Sequence, residues 1–559
     1  MKKLVLLIFI LLTAVSNLWA FTVTFSPMTY RVGLGSDQKN NAFELVVNIE
    51  NADGLSSTSS GFKDVAVYFD TYDITSWFVA NLQITSMDNT HLTAKVDIPS
   101  GILQTGIYFL SLGIRNQKDE IASGNALIII GNPNIVSPGA GDASTLRSLV
   151  ENSANKYIYI PSGHYYLTDD TILRLKDGQT IWGDGPDSTI LDGSGIKTSG
   201  LSPLLVIGKN IKIGFVSVGN TSTGSGISLD GTVSALVNNI TSSQNKGGGV
   251  VAYNGASLTV VSSLLENNSY DGATMGQSST GSIVMTKTTG NGFDGFGAEK
   301  SGALNVDFCE THGNSGVGIG YFSKSTGSIR RAFVYQNQQA GIFIGEGSSV
   351  QSVSSNRVTS CGTDGIGVNG QNSTANDVSG NMINGNVSGV TVNNSGKISG
   401  LNNNQFSYNT NTNMSVVTGG VVSGGGNTFA GANIGIGIDG SGSQITLSSD
   451  KVGDSQSYGI LFQNNAVGSL TALNISGNKN NGVSVGSSAQ LNGDSLTISG
   501  NQGFGIGIDN SGSAASLSSC QIFSNNNYGI IVFESHGAKY IDQGGNQIYS
   551  NSPANIGRW

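Results

Sequence analysis

The chain has 559 residues, of which 80 are Gly, and only 11% are charged, against about 25% in ordinary soluble domains. With 38% hydrophobic residues, 21 Phe and 17 Tyr, it keeps enough apolar material for a long core and does not read as a low-complexity tail. A net charge of −9 and a pI near 4.9 exclude the basic surface that nucleic-acid binding requires and leave no polybasic patch for a membrane.

The chain opens on Met1-Lys2-Lys3, an apolar run from Leu4 to Val15, polar Ser16-Asn17 and small Ala20. This layout predicts a signal peptide over 1–20, the run being short for a membrane span; a retained anchor is the alternative. Removing two lysines takes the charge from −9 to −11. The protein is then exported, to the periplasm, the cell surface or the medium, with no membrane insertion after signal removal. Cys309, Cys361 and Cys520 are too few and too irregularly spaced for a disulfide framework or a metal site, and read as small core residues.

From 21 to 131, short alternating runs (Phe43–Ile49, Val65–Phe69, Leu92–Ile98, Ile107–Ile114 and Ala126–Ile130) are separated by turn-rich clusters, which predicts a small β-sandwich. The stretch from Ile98 to Ile114 resembles the last hairpin of bacterial immunoglobulin-like modules. A linker over 132–140, with Pro133 and Pro138, leads to a second unit over 141–559.

That second unit is a repeat. A Gly-apolar-x-apolar mark recurs from Gly226-Ile227-Ser228-Leu229 through Gly249, Gly272, Gly295, Gly316, Gly341, Gly365 and Gly389. It continues with Asn413 in the Gly slot, then Gly435, Gly459, Gly482, Gly505 and Gly529, at steps averaging about 23 residues. A period of two inside a period of about 23 means one short strand per coil with two inward side chains. Four residues before the mark stand Asn268, Asn291, Asn337, Asn409, Asn478, Asn501 and Asn525, a column that can stack as an amide ladder. Proline is missing from Leu204 to Ser552, as expected where each coil pairs on both sides. The unit Gly435–Ser443, repeated at Gly505–Ser513, superficially suggests a calcium roll, but the tandem short repeat is lacking. No cofactor is expected, and Ca2+ at these aspartates has little support.

The run Ile158-Tyr-Ile-Pro-Ser-Gly-His-Tyr-Tyr-Leu167, then Thr180-Ile-Trp-Gly-Asp-Gly-Pro-Asp-Ser-Thr-Ile-Leu191 and the Asn-rich coils, resembles pectate-lyase-like proteins of the pectin lyase fold. The resemblance implies an all-β fold: a right-handed parallel β-helix solenoid of about 17 coils, some 80 Å long, preceded by the sandwich and capped by a short helix near Leu146–Leu149. It also implies a polysaccharide or cell-surface glycan as partner, bound or processed along the side of the helix. The catalytic motifs of polygalacturonases, alginate epimerases and pectate lyases are missing, and scattered His and Met give no copper site.

Charge is concentrated between Glu266 and Asp364, with 14 charged residues against nine between Gly365 and Phe533. Asp271 and Asp294 both precede a mark glycine one coil apart, so they stack about 4.8 Å apart, and carboxylates that close split into one acid and one base. These two, with His312, Lys324 and Arg330, are the candidate catalytic residues; Tyr270, Phe293, Glu299, Lys300, Tyr321 and Arg331 are the candidate substrate-binding residues. The pair suits glycoside hydrolysis, and a nearby Lys or Arg suits elimination from a uronic acid. The plainer readings are turn residues satisfying local backbone, and a surface adhesin or structural rod with no site at all.

Overall fold

Alternation inside each coil puts two apolar side chains inward, and stacking the coils buries them against those above and below. The computed structural model describes residues 22–559 except 27, 33–41, 51–63, 82, 88–90, 100–103 and 117–119; the expected signal peptide lies outside the described residues. The solenoid has three long parallel sheets, here called I, II and III, of 18, 17 and 17 strands. Sheet I runs from Ile135–Val136 to Lys539–Asp542, sheet II from Gly163–Thr168 to Gln547–Tyr549, and sheet III from Leu173–Leu175 to Ile556–Arg558. The first sheet I strand lies within the stretch read as linker and pairs with Tyr157–Tyr159.

Every coil contributes to one continuous core, from Leu146 and Val150 to Ile530 and Val532. Leu146 and Val150 belong to the helix Ala143–Glu151, whose first turn is held by Asp142 accepting from Thr145 N at 2.9 Å. The three cysteines are free and buried. No helix among the described residues is long and apolar enough to cross a membrane.

The register is displaced at one mark. Phe296 pairs with Ile319 and Ala298 with Tyr321, so the mark glycine of that coil is Gly318, not Gly316. The uneven steps on either side of the mark then both become 23 residues. The corrected register completes the amide ladder. Asn245, Asn268, Asn291 and Asn314 each pass a side-chain N–H to the next side-chain oxygen at 2.8–3.0 Å, the series ending on Asn337. A second ladder, at the corner between sheets I and II, runs Asn356, Asn381, Asn404, Asn427 and ends on Asp450.

The N-terminal unit has a four-stranded antiparallel sheet and a five-stranded mixed sheet, in which Thr29–Val32 runs parallel to Ile121–Ile130. The five expected runs are all strands; the helix Thr75–Asn81 is additional. Its Phe78 is buried in the core with Val67, Leu110 and Ile128. The outer face of the five-stranded sheet does not face water. Tyr68, Ile107, Phe109, Leu127 and Ile129 pack on Trp182, Phe215, Leu236, Val261, Val284 and Phe308 of the solenoid. Lys212 pairs with Asp70 at 2.6 Å, and Arg331 bridges Asp307 at 2.6 Å and Asp64 at 3.1 Å. The N-terminal unit therefore covers part of sheet I and leaves sheet III open.

Candidate functional site

The open face of sheet III carries a groove of about 550 Å³ over the coils from Ser225 to Phe322. Hollows of about 370 and 360 Å³ lie where the N-terminal unit meets the solenoid. The wall of the groove is the corner between sheets II and III, where Tyr270-Asp271 and Phe293-Asp294 occupy equivalent positions. The Tyr270 and Phe293 rings are each 55% exposed. They stack nearly parallel, with centroids 5.3 Å apart and 6° between planes.

The floor is outward-facing sheet III. Thr274 and Gly297 are neighbours there, as are Gly276 and Glu299. Glycine at 276 and 297 is required by close approach: a Cβ on Gly276 would come within 2.4 Å of the Tyr253 ring, and one on Gly297 within 2.9 Å of Asp271 Oδ2. The ring and the carboxylate thus lie flat on the backbone of the neighbouring strand.

Each corner aspartate caps the following coil. Asp294 N donates to Asp271 Oδ1 at 3.0 Å, and Thr274 Oγ1 donates to Asp271 Oδ2 at 2.8 Å. Val317 N donates to Asp294 Oδ1 at 2.8 Å. Burial, then the charge of Asp271 and that of Glu299, push the Asp294 carboxyl up to about 7 against the pull of the Val317 N–H. Asp271 is raised as well, by burial and by Glu299, with the Thr274 and Asp294 donors opposing. Burial, Glu299 and Asp271 push the Tyr253 hydroxyl up to about 12. Burial and neighbouring negative charge thus raise both carboxyls of the pair, an environment suited to acid–base chemistry.

Farther along the same column Asn481 Oδ1 accepts from Phe504 N at 3.0 Å. An amide fills the capping role there, so capping alone does not call for two acids whose charges are costly to bury.

The structure brings together Tyr270, Asp271, Phe293, Asp294 and Glu299, and leaves the other candidates elsewhere. Lys300 is outside the groove lining, its ammonium 3.9 Å from Glu299. Tyr321 is fully buried inside the solenoid, its hydroxyl donating to Leu304 O at 2.7 Å, because the corrected register makes it the second inward residue of its strand, beside Ala298. Arg331 is held in the junction with the N-terminal unit, and Arg330 pairs with Asp307 at 2.9 Å at the edge of sheet I. Lys324 sits exposed in a left-handed turn at the far corner of sheet III. His312 lies on sheet II, stacked on Tyr335 at 4.5 Å and 3.5 Å from Glu310; burial, with Lys287 nearby, lowers its pKa.

Sequence reasoning missed Tyr253, Thr274 and Phe322. Tyr253, Gly276, Glu299 and Phe322 all stand four residues after a mark glycine, and Phe322 joins the column only once Gly318 replaces Gly316. None of the groove's lining residues is Lys, Arg or His. Among the described residues no group of three His, Cys, Asp or Glu side chains is placed to hold a metal ion. Asp439 instead accepts from Asn464 Nδ2 at 2.7 Å, and Asp509 contacts His536 Nδ1 at 2.7 Å.

A comparison with curated proteins finds no match. Among solved structures, the chain is similar to the Azotobacter vinelandii mannuronan C-5 epimerase AlgE6 A-module, at 15% identity and a TM-score of 0.33, covering 75% of this chain and 97% of that one. It is also similar to the catalytic domain of a GH87 alpha-1,3-glucanase in complex with nigerose, at 14% identity and a TM-score of 0.30, covering 94% and 96%. The family described as "right handed beta helix region" matches residues 225–383, 276–434 and 388–554, more than half of the sequence, and the chain belongs to that family.

Proposed function

We propose that this protein is an exported β-helix protein that binds a polysaccharide in the sheet III groove and hydrolyses it there. The observation that carries the reading is Asp294, held protonated up to about pH 7 beside Asp271 in a groove bordered by two exposed stacked rings. A sugar lying on the Tyr270–Phe293 edge presents its glycosidic oxygen to the carboxyl pair. The protonated member gives its proton to the leaving oxygen; the ionised member takes a proton from water or attacks the anomeric carbon. Elimination is disfavoured, since it needs a positive group to neutralise the uronate and the groove lining supplies none. In the same reading the leader over 1–20 directs export, and the N-terminal unit is an accessory immunoglobulin-like module.

The test is to incubate the purified protein with a panel of neutral and acidic polysaccharides and analyse the soluble products by mass spectrometry. Saturated oligosaccharides, abolished by Asp294→Asn, support hydrolysis; unsaturated uronic ends overturn it in favour of a lyase. A second reading, glycan binding without turnover, is favoured by the capping role that Asp271 and Asp294 share with Asn481. Saturable retention without product from the folded protein selects it.

A further inference from the structure

We propose that the groove continues into a second sugar-binding position built from Phe343, Asp364 and Thr391, so that the protein takes extended glycan chains laid along the solenoid axis. This rests on the polysaccharide reading above and deepens it.

Asp364 precedes its mark glycine as Asp271 and Asp294 precede theirs, four coils beyond Asp271. A related arrangement stands there, with the threonine and the glycine exchanged between coils. Thr391 Oγ1, on the following coil, donates to Asp364 Oδ1 at 2.6 Å, whereas Thr274 donates to Asp271 from the same coil. Asp364 Oδ2 lies 3.5 Å from where a Cβ on Gly367 of its own coil would stand, whereas Asp271 lies over Gly297 of the next coil. Burial raises the Asp364 carboxyl too.

An aromatic floor joins the two positions. Phe322 borders the first groove and contacts Phe343, with centroids 5.5 Å apart. The half-buried Phe343 ring lies over Gly345, where a Cβ would come within 2.5 Å of it, and reaches Gly367, where the gap would be 3.3 Å. Between the acids the corner column holds only Val317 and Ala340, both buried. The next outward positions after Thr391, Ser415 and Gly437, carry no ring, so the floor ends there. Four coil steps at the strand spacing span about 19 Å. One sugar ring cannot touch both positions, but a chain can.

The experiment measures retention of disaccharides and hexasaccharides of the cello-, laminari-, nigero- and chito- series on the immobilised full protein. The wild type is compared with Phe343→Ala and Asp364→Asn, with thermal unfolding confirming that each variant folds. The amide still accepts from Thr391, so Asp364→Asn remains informative if Phe343→Ala fails to fold. The expected result is tighter retention of the hexasaccharide than of the disaccharide by the wild type, with each variant narrowing that difference about tenfold. Wild-type protein that retains both lengths equally overturns this inference alone, and so does an undiminished preference in the folded variants. Wild-type protein that retains no glycan overturns the polysaccharide reading as well.

Discussion

The carboxylate of Asp271 accepts the main-chain N–H of Asp294 at 3.0 Å, so two acids one coil apart are joined through the backbone. The bond holds the Asp271 carboxylate against the base of Asp294. Burial and that neighbouring charge together keep Asp294 protonated at pH values where an ordinary aspartate is ionised.

Asp294→Asn is expected to reduce turnover by about 10²–10⁴-fold, the usual contribution of a positioned acid. The variant should fold, because Asn481 occupies an equivalent corner position and accepts the same kind of backbone N–H. Product release by mass spectrometry and the thermal midpoint are measured on the same preparation. A lost midpoint would assign Asp294 to structure.

Activity should fall as pH rises through about 7, where Asp294 gives up its proton. Stability should move in the same direction. A carboxyl whose pKa is higher in the folded state than in the unfolded chain contributes fully below the unfolded value, and that contribution is lost as pH climbs to the folded one. The thermal midpoint is therefore expected to drop between about pH 4 and pH 7, and Asp294→Asn should flatten the slope.

Asp450 offers a separate test of the same physics away from the groove. It ends the second ladder, 1% exposed, with Oδ1 accepting from Asn427 and Oδ2 without a hydrogen-bond partner. Burial pushes its carboxyl up to about 6. Ladder asparagines use the matching nitrogen to donate to a carbonyl of the preceding coil, as Asn427 does to Leu401 O at 2.8 Å. Asp450→Asn supplies that donor and removes the charge, so it should stabilise the protein by about 2–3 kcal/mol at pH 8 and much less at pH 4. Denaturant midpoints at the two pH values check this.

Arg331 and Tyr270 should separate structure from binding. Arg331→Ala removes the bidentate partner of Asp307, 5% exposed, and leaves it Arg330 alone, so it should cost about 1.5–3 kcal/mol while sparing glycan retention. Tyr270→Ala removes a 55% exposed ring and should weaken retention with little change in the midpoint. The opposite pattern would return Arg331 to the binding surface.

The coils, the inward pairs and the amide column were legible because each is a local pattern repeated many times. The corner pair Asp271 and Asp294, with Tyr270 and Phe293, was legible for the same reason: identical offsets from successive glycines place residues side by side. Tyr321 was misplaced by a single mark. Gly316-Val317-Gly318-Ile319 satisfies the same apolar pattern as Gly318-Ile319-Gly320-Tyr321. A slip of two residues preserves alternation, so only the uneven steps of 21 and 25 residues on either side hint at it, and pairing of Ile319 with Phe296 decides it.

The sequence by itself determined that this chain is a solenoid with one core, since a coil of about 23 residues with two inward positions per strand can bury them only against its neighbours. It also determined which residues stack in columns. The tertiary structure alone decided which face those columns serve. Arg331 is more than 200 residues from Asp64, and no period links the N-terminal unit to the coils it covers. That long-range packing closes part of sheet I, leaves sheet III open, and so turns a belt of charge into one groove and several ordinary ion pairs.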